Sequence, residues 1–146
     1  MQVPLKLSPP IKPFSSSEVK NTIKTHTNPV KSPGYDLITG KVLQELPKKG
    51  YAFITSIFNA ILRCSHFPSQ WKIAQVITIL KPGKPLNEVT SYRPISLLPV
   101  LSKVFEKLLL QRLKSILPEI IPDFQFGFRE RHSTIEQAHC LVNIIS

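Results

Sequence analysis

The sequence predicts an α+β fold. Several segments carry apolar residues at helical spacing, and one short β-rich segment between prolines has the pattern of a strand. With 42% hydrophobic and 19% charged residues, the composition is that of a folded globular protein. The chain of 146 residues is long enough for one ordinary domain.

The N-terminal segment, residues 1–14, is rich in proline and is predicted to be an extended arm without a core of its own. A short helix is predicted at SSSEVKNTIKT. There Ser15 and Glu18 have the spacing of a capping box, and Val19 and Ile23 lie one turn apart.

Two more helices are predicted before the strand. Asp36 is placed to cap the first of them, which Pro47 ends, and its apolar face consists of Ile38, Val42 and Leu46. The second runs from about Tyr51 to Arg63. Its apolar residues at helical spacing are Ile54, Ile57, Phe58, Ile61 and Leu62.

Residues 73–80 are apolar on both alternating faces and lie between Pro68 and the Pro82-Gly83 pair, which predicts a strand buried on both sides. The stretch LNEVTSYRPIS follows as a polar connection, and apolar character returns at Ile95.

The amphipathic pattern is clearest from Leu101 to Leu117, where Pro118 ends a predicted helix. We interpret the basic residues on its polar face as solvated surface rather than as a nucleic-acid groove. A last helix starts at Ser133, which has Glu136 at capping-box spacing, and it continues to Ser146 without a stop signal. We therefore expect a chain that is truncated at its C-terminus.

Charge is the strongest signal of composition. Nineteen Lys and Arg residues against nine Asp and Glu give a net charge of +10 and a pI near 9.9. This excess favours a polyanionic partner, although solubility alone would also explain it. No apolar run reaches the length of a membrane span, so no membrane partner is expected. Cys64 and Cys140 lie in helical patterns and are predicted to be buried free thiols.

Two basic residues are candidates for phosphate binding. Lys81 opens the turn KPGKP at the end of the predicted strand, where its ammonium could reach a phosphate, or the turn could simply be solvated. Arg93 lies between Tyr92 and Pro94 and is expected to be partly desolvated. Its partner would then be a phosphate or, alternatively, a carboxylate such as that of Glu88 or Glu106.

The stretch FQFGFR alternates aromatic and polar residues, which suits either a platform for bases or a core-facing hairpin. No pair of carboxylates has a metal-sharing spacing, and no Ser-His-Asp or Cys-His arrangement is evident. The sequence therefore assigns no catalytic and no metal-binding residue.

Four motifs occur in a characteristic order: KSPGYDLITGKVLQELP, FPSQWKIAQVITILKPGKP, SYRPISLLPVLSKVFEKLLLQRL and DFQFGFRERHSTIEQ. In this order they resemble reverse transcriptases of non-long-terminal-repeat retrotransposons, and the resemblance is nearest to the jockey-type elements. It covers residues 15–146. It implies the fold of a right-hand polymerase, of which 15–146 would form the fingers and the start of the palm.

The resemblance also implies roles for individual residues. Arg93 would contact the triphosphate of the incoming nucleotide, with Lys81 as its partner, and Gln125, Gly127 and Arg129 would line the template and nucleotide pocket. RNA template, DNA primer, dNTP and Mg²⁺ would be ligands of the whole enzyme, and missing palm and thumb segments would pack against this chain. The whole enzyme would be intracellular, in the nucleus, the cytoplasm or both.

One departure from the family is decisive for activity. The catalytic aspartates that hold the metal ions follow this region in the family, and the sequence ends at Ser146 before any of them. We therefore expect a fragment of an RNA-directed DNA polymerase that is inactive by itself. The alternative is a domesticated nucleic-acid-binding module without catalysis.

Overall fold

The computed structural model describes residues 12–114, 125 and 133–145. These residues form five α-helices and two strands in the order α1 (Ser16–His26), α2 (Gly40–Gln44), α3 (Lys48–Cys64), β1 (Gln75–Leu80), β2 (Tyr92–Leu97), α4 (Val100–Leu113) and α5 (Thr134–Ile145). Short 3₁₀ helices at Ser69–Lys72 and Val89–Ser91 precede β1 and β2. The described residues thus mix helices with a two-stranded sheet. The chain divides after Leu108 into two compact units, so that α4 begins in the first unit and ends in the second.

Both predicted capping boxes are confirmed. At the start of α1 the Ser15 hydroxyl accepts a hydrogen bond from the Glu18 amide at 3.2 Å, and the Glu18 carboxylate accepts one from the Ser15 amide at 3.4 Å. Ser133 and Glu136 make the same reciprocal pair before α5, at 3.3 and 2.9 Å. These bonds satisfy amides that a helix start otherwise leaves without partners.

The predicted cap of the second helix is wrong. Asp36 accepts a hydrogen bond from the Ile38 amide at 3.3 Å, and Leu37 between them is left-handed, with φ of 57°. A helix cannot continue through that conformation, so α2 starts later, with Thr39 as its cap. Of its apolar side chains Val42 is 54% exposed and Leu43 is buried.

Helix α3 confirms the third predicted helix and ends where Ser65 adopts a left-handed conformation, with φ of 48°. Its inner face contains Tyr51, Ile54 and Phe58. The expected burial of both cysteines is wrong, because Cys64 at the last position of α3 and Cys140 in α5 are exposed free thiols.

An aromatic cluster forms the centre of the first unit. The Phe105 ring lies 5.3 to 6.1 Å from each of its partners, measured between ring centroids, and these are Phe14, Phe58, Phe67 and Trp71. Val19, Ile23, Leu43, Ile54, Val104 and Leu108 add the buried aliphatic side chains. Phe105 and Val104 come from the predicted apolar face of α4, whose predicted end at Leu117 lies outside the described residues.

Phe14, the last residue of the predicted arm, belongs to this core, with 3% of its surface exposed. The Asn59 side chain accepts a hydrogen bond from the Phe14 amide at 2.7 Å and donates one to its carbonyl oxygen at 2.9 Å. A single amide side chain on α3 therefore holds both backbone polar groups of Phe14.

The two strands form an antiparallel hairpin in which Ile79 pairs with Arg93 and Leu80 with Tyr92. The stretch predicted as a polar connection thus supplies most of β2. The predicted burial of the strand at residues 73–80 on both sides is wrong, since Val76 is 60% and Ile79 47% exposed. The reason is tertiary: an apolar strand is buried only where other elements cover the sheet, and the described elements leave these side chains open.

Within the described ranges, no helix has both the length and the apolar character needed to cross a bilayer.

Candidate functional site

The candidate site is built on the connection between β1 and β2, which starts in a tight turn. The Lys84 amide donates to the Lys81 carbonyl oxygen at 3.2 Å, with Pro82 and Gly83 in the two central positions of the turn. Gly83 has φ of 72°. A type II turn requires this left-handed conformation after a proline, which explains the glycine in KPGKP.

Three hydrogen bonds close the connection beyond the turn. The Lys81 amide donates to the Ser91 carbonyl oxygen at 2.8 Å and so extends the strand ladder by one residue. The Lys81 ammonium donates to the carbonyl oxygen of Thr90 at 2.7 Å, and the Tyr92 hydroxyl donates to that of Leu86 at 2.9 Å. Side chains at both strand ends therefore fix the backbone of the intervening loop.

The register places both predicted cations on one face of the hairpin. Arg93 is directly opposite Ile79, and Lys81 continues the ladder opposite Ser91. Side chains alternate between the two faces of a strand with a period of two, so Lys81 and Ile79 lie on the same face. Arg93 lies on that face too, because it is directly opposite Ile79 and diagonal to Lys81. Ile95 lies on the same face, so the two cations border an apolar strip.

The environment of Arg93 differs from the expected one. Its side chain is exposed rather than desolvated, whereas Lys81 is half-buried. In residues 12–114 no ion pair joins Arg93 to Glu88 or Glu106, and the Glu88 carboxylate accepts a hydrogen bond from the Thr90 hydroxyl at 3.3 Å instead. The guanidinium is therefore open to a ligand from solvent.

Ser91, which lies opposite Lys81 in the continued strand ladder, was missed by sequence reasoning. It is fully buried, and its hydroxyl has no hydrogen-bond partner in the part of the chain that the structure describes. Thr90 and Tyr92 were missed as well, because a side chain that bonds a loop carbonyl leaves no sequence pattern. The one available signal was the period of two along a strand, which places Tyr92 on the same face as Pro94 and Ser96.

Comparison with known proteins places the sequence in a family. Residues 79–145 match the family model described as reverse transcriptase (RNA-dependent DNA polymerase). The chain is 47% identical, over 99% of its own length, to a probable RNA-directed DNA polymerase from transposon BS of Drosophila melanogaster. It is 48% identical over 97% of its length to one from the transposon X-element of the same species. The polymerase from mobile element jockey of Drosophila funebris is 42% identical over 98% of the chain.

The chain belongs to the reverse transcriptases. It spans about 16% of the length of each of these three relatives and therefore corresponds to a fragment of an RNA-directed DNA polymerase from a retrotransposon. The jockey-type resemblance of its four motifs is confirmed. The family match favours this assignment over the alternative of a separate binding module, and it includes both Lys81 and Arg93.

Of the remaining predicted site residues of this reverse transcriptase fragment, Gln125 belongs to the second unit. Gln125 is described there and is exposed. Gly127 and Arg129 lie outside the described residues, so their predicted roles stay predictions. Reverse transcriptases generally use divalent metal ions, but the described residues contain no group of three or more His, Cys, Asp and Glu side chains that could hold one.

Proposed function

We propose that the chain forms part of the fingers and the start of the palm of a template-directed DNA polymerase. In this proposal the hairpin surface formed by Lys81 and Arg93 contacts the triphosphate of the incoming nucleotide. The observation that carries it is the shared face of these two residues, with the Arg93 guanidinium open to solvent and without a carboxylate partner among the described residues.

The chemistry of the two cations suits a polyphosphate. A guanidinium donates two parallel hydrogen bonds to the oxygens of one phosphate, whereas an ammonium acts as a compact point charge. Lys81 gives one of its three donors to Thr90 and keeps two for a ligand. Fixed positive charge at this place would stabilise the negative charge that develops on the leaving pyrophosphate.

The apolar strip beside the cations fits the rest of a nucleotide. Ile79 and Ile95 are 47% and 39% exposed on the face that carries Arg93. They offer van der Waals contact to the sugar without hydrogen bonds that would distinguish one base from another. We propose that template pairing selects the base and that Gln125, Gly127 and Arg129 contribute to the template and nucleotide pocket.

The other partners belong to the proposal for the whole polymerase. They are an RNA template, a DNA primer, dNTPs and Mg²⁺, together with the palm and thumb segments that would pack against this chain. Access to both RNA and chromosomal DNA would place the whole enzyme in the nucleus, the cytoplasm or both.

Nucleotide titration of the isotope-labelled 146-residue chain, followed by NMR, tests the hairpin site. Adding dATP is expected to shift the amide signals of Lys81, Ser91 and Arg93, whereas deoxyadenosine without phosphates leaves them in place. Arg93→Ala should remove the response, and Arg63→Ala, an exposed arginine at the end of α3, should not. Equal responses in the two variants would contradict the site.

Primer extension tests the expectation that the chain is inactive alone. Purified 146-residue chain with template, primer, dNTPs and Mg²⁺ should give no product above background, because the family's catalytic aspartates are absent from the sequence. Extension that depends on the protein would show that catalytic groups are present in this region after all.

A further inference from the structure

A second basic surface lies in the first unit, away from the hairpin residues. It is a cleft of about 400 Å³. One wall is the N-terminal half of α4, which presents Val100, Lys103 and Lys107. The other wall is the end of α1 and the loop after it, which presents His26, Lys31 and Ser32. We call this the α4 cleft.

Close backbone packing holds the two walls together. A Cβ atom added to Gly34 would lie 2.6 Å from the Pro99 nitrogen and 2.8 Å from the Leu98 carbonyl carbon, so only glycine allows the loop to approach the start of α4 this closely. The Asn28 side chain accepts a hydrogen bond from the Val30 amide at 2.9 Å and stabilises the turn that leads to Lys31. The cleft is therefore preformed by backbone contacts.

The charge of the α4 cleft is of one sign. Lys103 and Lys107 are four residues apart on one helix face, an arrangement that is destabilising for like charges, and Lys31 adds a third ammonium from the opposite wall. Among the described residues that line the cleft there is no carboxylate, and Glu106, which lies between the two lysines along α4, is not part of this lining. Within residues 12–114 none of the three lysines forms an ion pair.

The lining also indicates the kind of anion. Ser32 and Asn28 add a hydroxyl and an amide NH₂ group that can donate hydrogen bonds to phosphate oxygens. In the part of the lining that the structure describes, His26 is the only ring, so these residues offer successive bases no stacking platform. The cleft is suited to phosphates rather than to bases.

We propose that the α4 cleft binds the sugar-phosphate backbone of a nucleic acid strand, independently of its sequence. Three lysines at the rim replace the counterions of neighbouring phosphates, and this relieves their mutual repulsion. The cleft shares no residue with the hairpin surface, so it is a second contact between this chain and nucleic acid. In this proposal Lys103 and Lys107 bind nucleic acid, in contrast to our interpretation of the α4 polar face as solvated surface.

Salt-dependent binding of a fluorescein-labelled single-stranded RNA to the 146-residue chain, measured by anisotropy, tests this proposal. The variant with Lys31→Gln, Lys103→Gln and Lys107→Gln should reduce the slope of log K against log salt concentration by about 2, since each lost phosphate contact on a single strand removes about 0.7. The matched control, Lys12→Gln, Lys48→Gln and Lys49→Gln, removes the same charge from exposed positions outside the cleft. It should change the slope by less than half as much.

Equal slope changes in the two variants would mean that net charge alone drives binding, and an unchanged slope in the cleft variant would show that no phosphate binds there. Either result overturns the proposal. Displacement of the RNA by pyrophosphate at equal phosphate concentration would assign the cleft to a free polyphosphate instead and would also overturn it.

Three further measurements separate this proposal from misfolding and from the hairpin site. Without RNA the cleft variant should unfold at the same or a higher temperature than the original chain, because it loses like-charge repulsion. Replacing the same three lysines by arginine should restore the RNA slope. In the Arg93→Ala background, the three cleft substitutions should reduce the slope of log K against log salt concentration by the same amount. The test of the cleft therefore does not depend on whether the nucleotide site exists.

Discussion

The ammonium of Lys81 donates a hydrogen bond of 2.7 Å to the carbonyl oxygen of Thr90, so a side chain at the end of β1 holds the backbone just before β2. The same residue also pairs with Ser91 through its amide. Lys81 thus links the geometry of the loop to the charge of the proposed nucleotide site.

Replacing Lys81 by methionine should loosen this loop with little effect on global stability. The side chain keeps its length but loses the donor, and because the bond is exposed, the free energy of unfolding should fall by less than about 1 kcal/mol. Hydrogen exchange at the Lys81 amide should become faster, and the response to dATP should weaken. Lys84→Met in the same turn is the control and should leave that exchange rate unchanged.

Two buried serines should respond in opposite ways to replacement by alanine. Ser91 and Ser102 are both fully buried, but the Ser102 hydroxyl donates to the Pro99 carbonyl oxygen at 3.1 Å while that of Ser91 has no partner among the described residues. Ser102→Ala should cost about 1 kcal/mol, and Ser91→Ala should be neutral or stabilising. Urea unfolding of both variants checks this. A larger loss for Ser91→Ala would show that its hydroxyl is bonded.

Phe105 should be among the most sensitive positions of the first unit. It is 2% exposed and contacts four other aromatic rings, so Phe105→Ala should lower the free energy of unfolding by about 3–5 kcal/mol. Phe53→Ala makes the same change on α3, where the side chain is 68% exposed, and should cost far less. Thermal unfolding compares the two. Similar losses would place the centre of the core elsewhere.

Replacing Gly34 or Gly83 by alanine should lower the stability of the fold, for a different reason at each position. Gly34→Ala introduces a methyl group 2.6 Å from the Pro99 nitrogen, so the backbone must shift, at a cost of about 1–3 kcal/mol, and RNA binding at the α4 cleft should weaken. Gly83→Ala meets no atom within 4 Å and suffers only from its φ of 72°, at a cost of about 1 kcal/mol.

Asparagine separates the two explanations, since it tolerates a left-handed backbone but is larger than alanine. Gly83→Asn should recover most of the stability lost in Gly83→Ala, whereas Gly34→Asn should be worse than Gly34→Ala. Chemical denaturation of the four variants gives the comparison. Recovery at position 34 would mean that its loop is not confined by residues 98–99.

Features that depend on a few neighbouring residues could be predicted from the sequence. The capping boxes at Ser15 and Ser133 and the turn at Pro82-Gly83 are local, because one side chain bonds an amide three residues away or one residue type permits the required φ. The order of the four motifs identified the family, which the comparisons confirmed. The role of Arg93 was predicted in the same way, through its motif, and stays a prediction.

Tertiary structure decided which surfaces are covered and which distant residues meet. The apolar hairpin is open, Phe14 enters the core through Asn59, and Lys31 lies across a cleft from Lys103. None of these follows from spacing, because periodicity shows that a side chain is apolar or charged but not what packs against it. Burial depends on contacts between segments far apart in sequence, and these form only when close approaches such as that of Gly34 to Pro99 fix one chain path.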